Sequence, residues 1–599
     1  MTEENGANLI EHMQARITAA EQAHANLTER WNSISNARLI AIVPFIGLGF
    51  WWLRTGERFW LFAALLALAV FFVAVWQHNR VGAMRREAGF RLGYRREQLA
   101  RIERGFDRLP APRPTNLPAD HPYANDLDLV GQGSVLHLID TTETAIGFAT
   151  LVDWLSRSDG VGQALDRQQG AMRLAGDEAW CEDLAVAGSL PDGIEPATFD
   201  PGALKAYGQR SIAVPHVLAL IGTVAMLVGV GLYFAGVIPG TLLLFPLALN
   251  AGLTFVAPPE GNLHDSLRGL RQLRQVLPVV EQVEGSEPIL SRARENLYHD
   301  GVPASHLLSR LDRQLAAVIP KGSILWFPLQ LAVNWDLLVD GVLIRSANVV
   351  APHIEQWIAT IGEIEALAAL ANLKFLNPEF AWPALSADLD KITIQSGGHP
   401  LIPLDRRVTN DVSVGPAGSV MIVTGSNMAG KSTLLRTVGL NAVLALAGGP
   451  VCAQSMEMGQ FNVWSSVRVQ DSLAQGVSLF MAELVRLRQV VDAARSGPVL
   501  YLLDEILHGT NTSERRIAAR TVIWHLLRTH GVGMVSTHDL ELIDADLQPH
   551  TTIVHLVDQI RQTANGPEMY FDYKVRPGMA PSSNALRLLE LVGLGPDQA

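Results

Sequence analysis

Between Ser211 and Pro259 the chain carries no Asp, Glu, Lys or Arg, and no other feature restricts its fold as much. A soluble core rarely needs a charge-free run of that length. At ~1.5 Å of rise per helical residue, the stretch is far too long for one crossing of a ~30 Å hydrocarbon layer and suits two. Gly236, Pro239 and Gly240 break it near its middle. The reading is a transmembrane hairpin over residues 211–259.

A second hairpin is read closer to the N-terminus, over residues 37–77. Leu39–Leu53 is uncharged between Arg38 and Arg54, and Phe59–Trp76 forms a second apolar run. The first run is slightly short of the ~20 residues a span needs, and the second is adequate. Trp51, Trp52, Trp60 and Trp76 sit at the run ends, where interfacial aromatics are expected. The competing reading is a pair of buried core helices. Residues 1–36 are polar, with Leu9, Met13, Ile17 and Ala20 at helical spacing. They lack the apolar core and small-residue cleavage site of a signal peptide, so none is expected.

Arginines fix the expected orientation. Arg80, Arg85, Arg86, Arg91, Arg95 and Arg96 follow the second run, and Arg268, Arg271 and Arg274 follow the fourth. The links on the other side carry only Arg54 and Arg58. The positive-inside bias predicts a multi-pass protein of the cytoplasmic (inner) membrane, with N-terminus, helical core and C-terminal domain in the cytoplasm. The formal net charge of −12 is unlike that of a dedicated nucleic-acid binder. Cys181 and Cys452 lie far apart, which argues against a disulfide framework and fits a reducing compartment.

Residues 78–122 hold an arginine-rich helix and a Pro-rich linker, Leu109–Pro122. The helix is read either as a solvated element leaving the membrane near anionic lipid or as a DNA-backbone contact. Residues 123–210 look globular and helical. Residues 260–392 read as long amphipathic helices, such as Leu267–Val280 and Ile354–Leu373. Within them Gly322–Trp335 is uncharged but too short to span, which leaves a buried core segment or a re-entrant piece.

From about Thr393 short apolar strands alternate with helices, the pattern of an α/β domain with a largely parallel sheet over 393–599. Val420–Thr424 leads into Gly425, Ser426, Asn427, Met428, Ala429, Gly430, Lys431, Ser432 and Thr433, and a helix follows. Strand, glycine-rich loop and helix in this order make a P-loop, whose successive N–H groups nest phosphate. The expected ligands are ATP and Mg²⁺. Lys431 is placed on the β- and γ-phosphates and Ser432 on Mg²⁺. The buried strand Val499–Glu505 ends in two carboxylates. Asp504 is expected to hold Mg²⁺ through water, and Glu505 to orient or deprotonate the attacking water. His538 ends a third strand, Gly533–Thr537, at the place of a γ-phosphate sensor.

These residues carry a resemblance. TGSNMAGKSTLLR at 424–436 looks like the ATPase domain of the MutS mismatch-repair family. Asp471–Glu483 resembles that family's signature segment, Leu503–Glu505 with Gly509–Thr512 its Walker B and following loop, and Ser536–His538 its terminal Thr-His. Gly398–Pro400, Asn410-Asp411, and Thr141–Leu155 with Arg167-Gln168 resemble the family's domain entry and helical core. The resemblance implies a multidomain chain: α-helical membrane hairpins plus a MutS-like core and lever, followed by a P-loop α/β ATPase domain of ABC type. It implies a homodimer through the ATPase domain, with Ser478 touching the partner's γ-phosphate and Asn427 supporting the Mg²⁺ and phosphate network. It also implies DNA as a ligand.

Departures qualify the last point. The family reads mismatches with a Phe-x-Glu wedge, and no Phe-x-Glu occurs in this sequence. The segment ahead of Arg38 is too short for the domain that carries the wedge. A membrane hairpin interrupts the helical core, and no aromatic stands near Val408 to stack on adenine. The expectation is a membrane-anchored branch lacking the mismatch reader, an ATP-dependent DNA clamp. Its rivals are a nucleotide-regulated membrane scaffold with a protein partner and an ABC-type transporter. The transporter lacks support, because no LSGGQ-type signature precedes the Walker B strand.

Overall fold

A computed structural model describes residues 2–189, 200–255, 270–319, 322–324, 326–426, 428–467, 479–507, 512–563 and 566–579. The chain divides into two compact units. One comprises Met1–Thr141, Leu151–Glu182 and Leu367–Ala599; the other comprises Thr142–Thr150 and Asp183–Ala366.

In the first unit, helices α1 (Thr2–Thr55) and α2 (Arg58–Glu103) pack along one another, turning at Gly56. Both run well past the apolar segments read from the sequence, because no breaker interrupts α2 before the left-handed Arg104. The membrane-like stretches face outward, with Ile40, Leu53 and Leu66 about 70% exposed. The polar ends are packed instead. Trp31 stacks on His78 with ring centroids 4.7 Å apart, beside Gly82, where a Cβ would stand 3.0 Å from Trp31 Nε1.

The arginines of α2 are largely committed to internal partners. Buried Glu182 accepts from Arg16 at 2.9 Å, Arg91 at 3.3 Å and Arg95 at 2.9 Å. Arg101 donates to the carbonyls of Leu138 and Asp140. Arg104 donates to Pro400 O at 3.0 Å and Asn377 Oδ1 at 2.7 Å. Burial, and then the nearby Arg407 guanidinium, push Arg104 down to about 10. Much of the basic charge in residues 80–108 is therefore spent on holding α2 to the body of its own unit.

The second unit contains α3 (Val214–Phe234) and, after a turn at Gly236, α4 (Leu244–Thr254). α3 is long and apolar enough to span. Gly240–Thr254 is apolar but shorter than a span, and residues 256–269 lie outside the description. The run 322–335 becomes α5 (Trp326–Val333), which meets α6 (Trp335–Val350) at a bend of 78°. Among the described residues three helices are long and apolar enough to cross a membrane, or four if that bent pair counts as one.

The C-terminal part of the first unit is α/β. Its main sheet comprises β1 (Val420–Thr424), β2 (Asn462–Ser466), β3 (Val499–Asp504), β4 (Val532–Ser536), β5 (Thr551–Thr563) and β6 (Gly566–Pro577), in the order β6-β5-β1-β4-β3-β2. All neighbours are parallel except β5 and β6. β1 and β4 are buried throughout and β3 nearly so, which is why they read as unbroken apolar runs. Helices α7 (Lys431–Leu446) and α8 (Leu479–Ser496) pack on the sheet. A smaller sheet carries Ala384–Leu385, Ser455–Met458, Ile392–Gly397 and Asn410–Val414, in that order.

Candidate functional site

The register of the main sheet builds the site. Ser536 pairs with Val423 on one side and with Asp504 on the other, so β1, β3 and β4 end on one edge. In open parallel sheets ligands bind outside the carboxyl ends of the strands.

β1 feeds the glycine-rich loop. Gly425 has φ +138°, and a Cβ there would stand 2.6 Å from Leu556 O, so the turn needs glycine. Gly430 caps α7 with φ +97°. Lys431 is 2% exposed, and its Nζ donates to Gly425 O at 2.9 Å and lies 3.3 Å from Glu505 Oε1. The hydroxyls of Ser432 and Ser536 both donate to the Asp504 carboxylate, one to each oxygen. Glu505 follows with φ +43°, its N–H donating to Ser536 O at 3.2 Å. Its other carboxylate oxygen lies 3.8 Å from His538 Nδ1.

Lys431, Ser432, Asp504, Glu505 and His538, taken from three separate segments, thus converge. Gly425, Ser426, Ala429 and Gly430 form the loop beside them, Met428 is exposed, and Thr433 faces outward on the first turn of α7. Asn427 and Ser478 lie outside the described residues. The arrangement suits a nucleoside triphosphate with its divalent ion. A cationic side chain and the amino end of a helix face one edge. A hydroxyl and a carboxylate adjoin as hard oxygen donors. Ser426 Oγ is buried with no hydrogen-bond partner among the described residues.

Three participants escaped the sequence reading. Ser536 was noted only as part of Ser-Thr-His, yet it shares Asp504 with Ser432. Glu483 on α8 is 5% exposed and accepts the backbone N–H of Leu507, holding the loop after Glu505. Tyr573 stands against the glycine-rich loop, 3.0 Å from where a Cβ on Gly430 would lie. Only the strand order brings β6 and its Tyr573 there, and that order is not written locally in the sequence.

The fold and site define an α/β domain with a central parallel sheet and a glycine-rich loop after one of its inner strands. Residues 421–598 match the family model described as MutS domain V. The DNA mismatch repair protein MutS of Natronomonas pharaonis is 31% identical over 247 residues, 40% of this chain and 28% of that protein. The DNA mismatch repair protein MutS of Chloroflexus aurantiacus is 30% identical over 266 residues, covering 42% of this chain and 27% of that protein. For the protein of the same name from an Exiguobacterium species the identity is 30% over 269 residues, covering 44% and 31%. Over this domain the chain is similar to the MutS family. The matched part spans less than a third of the length of each relative.

Proposed function

We propose that this protein is a membrane-anchored MutS-like ATPase that couples ATP binding to a grip on DNA. The observation that carries the reading is the convergence of Lys431, Ser432, Asp504 and Glu505 at one sheet edge beside the glycine-rich loop. Lys431 exchanges Glu505 for the β- and γ-phosphates. Ser432 and Asp504 would hold Mg²⁺, which would supply charge neutralisation at the phosphates. Glu505, released from Lys431, takes the proton of the attacking water, and His538 orients beside it. Two ATPase domains of ABC type face each other, with Ser478 and Asn427 completing each site. The apolar helices anchor the protein in the inner membrane, with the ATPase domain in the cytoplasm.

DNA enters through the family: the relatives are named DNA mismatch repair proteins. Mismatch reading itself is left out of the proposal, since the sequence has no Phe-x-Glu. A second reading, a nucleotide-regulated membrane scaffold that grips a protein, is favoured by the net charge of −12 and the internal pairing of Arg91, Arg95, Arg101 and Arg104. Filter binding of Glu505→Gln in ATP, with duplex, branched and mismatched DNA across a salt series, separates the two. Salt-sensitive retention of DNA supports the clamp. Negligible retention of all three DNAs sinks it and leaves the scaffold.

A further inference from the structure

Polar side chains gather in the second unit at the place where its helices are most apolar. Asn250 on α4, Gln330 on α5 and Asn334 at the α5–α6 junction are all 0% exposed. Asn334 takes the left-handed conformation, φ 45° and ψ 53°, and there the chain bends by 78°. Such a break leaves the carbonyls of Leu331, Ala332 and Val333 without helical donors. Each finds one within the unit. Asn250 Nδ2 donates to Leu331 O at 3.1 Å and Ala332 O at 3.2 Å. Thr223 Oγ1 on α3 donates to Val333 O at 2.7 Å, while Asn334 N keeps the last helical bond, to Gln330 O at 2.8 Å. Asn334 Nδ2 closes the ring onto Asn250 O at 2.8 Å. Gly222 makes room for the amide, since a Cβ there would stand 2.4 Å from Asn250 Oδ1.

Water would satisfy a broken helix at a protein surface without such help. Bilayer lipid cannot, and non-helical backbone at membrane depth persists only where protein or trapped water pairs it. Depth follows from α3. Thr223 lies nine residues after Val214, or ~13 Å along the helix, close to the middle of a ~30 Å hydrocarbon layer. A polar knot marks the near boundary: Asp340 of α6 accepts from Tyr207 and Arg210 and meets His216 Nε2 at 2.9 Å, two residues after α3 begins. The bent pair exposes apolar side chains, Phe327 at 55% and Val342 at 44%, and Ile324 just ahead of it is 91% exposed.

We propose that Trp326–Val333 is a re-entrant half-helix embedded among lipid acyl chains. With α3 and α4 it makes the second membrane unit a three-part structure rather than a simple hairpin. Asn250 and Thr223 are its positioning residues. This rests on the reading of α3 as membrane-spanning.

The test uses the full chain in phosphatidylcholine–phosphatidylglycerol vesicles, with spin labels on single introduced cysteines. Native Cys181 and Cys452 are both buried. Phe327→Cys reports on α5, Val228→Cys on α3, and Tyr298→Cys, in a short hairpin, on water. Collisions with oxygen report lipid, and collisions with a water-soluble nickel chelate report solvent. The expected result is an oxygen preference at 327 equal to that at 228 and several-fold above that at 298. A nickel preference at 327 with oxygen preference at 228 overturns the re-entrant helix alone. A nickel preference at both overturns the membrane reading beneath it. Asn250→Leu strips the donors from Leu331 and Ala332, so nickel collisions at 327 should rise several-fold while those at 228 stay unchanged. An unmoved label at 327 contradicts the capping role.

Discussion

Replacing Glu483 by alanine should uncouple nucleotide binding from hydrolysis. Glu505 and Leu507 both hold positive φ, 43° and 64°, conformations that cost non-glycine residues on the order of 1–3 kcal/mol each. The buried Glu483 carboxylate accepts the N–H of Leu507, a residue with 0% exposure. Removing the acceptor leaves that N–H unsatisfied in the interior, at a cost of about 1–3 kcal/mol. At 1.4 kcal/mol per tenfold, the loop carrying Glu505 loses its observed geometry by a factor of roughly 5 to 150. Phosphate release under saturating ATP should therefore fall by about one to two orders of magnitude. The affinity for a fluorescent ATP analogue should hold, because the contact removed lies on the loop after Glu505. Glu483→Gln keeps an acceptor at the same place and should recover most of the rate. A Glu483→Ala protein that hydrolyses at the parent rate would refute the reasoning. So would one that loses binding as steeply as hydrolysis.

Other outcomes follow from single contacts. Lys431→Ala should abolish the thermal shift given by Mg²⁺–ATP, which for the parent is worth about 2.7 kcal/mol at a hundredfold excess over Kd; a retained shift contradicts the placement of Lys431. Gly533→Ala puts a Cβ 2.2 Å from Tyr501 O, backbone that cannot yield, so urea unfolding should show a loss at or above the usual ~1–3 kcal/mol of overpacking. Burial, and then Arg436, lower His399 to about 4 from an ordinary 6.5. The unfolded chain therefore takes up the proton first. The stability tied to the neutral ring is complete above pH 6.5 and is lost as pH falls towards 4, at most ~3 kcal/mol in total. His399→Gln should flatten the urea midpoint across that window, and an unchanged slope speaks against a buried neutral imidazole.

The candidate site was legible because its parts are local. A buried strand, a glycine-rich loop and a helix start lie within residues 420–446, and the carboxylates close an apolar run that has no other reason to end in acid. What joins them was not legible. That Ser536 stands beside Asp504 follows from β4 lying between β1 and β3, and strand order is set by packing across the sheet. The helix limits also escaped the sequence. α1 and α2 change from polar to apolar composition without changing conformation, so a boundary drawn by hydropathy falls inside a continuous helix. Basic residues of 80–108 looked available to lipid or DNA, but Glu182 meets Arg91 and Arg95 from about 90 residues away in sequence. The charge-free stretch 211–259 was read as two crossings from its length alone. The polar ring at Asn334 arises from side chains that meet only once the unit has folded.

The most direct test of the central claim is phosphate release by the purified full chain in lipid nanodiscs, parent against Glu505→Gln. The account predicts Mg²⁺-dependent hydrolysis of ATP by the parent. Loss of the group that takes the water's proton should lower the rate by ~10²–10⁴ while bound ATP is retained. A parent that binds no ATP, or a Glu505→Gln protein that hydrolyses it at the parent rate, contradicts the account.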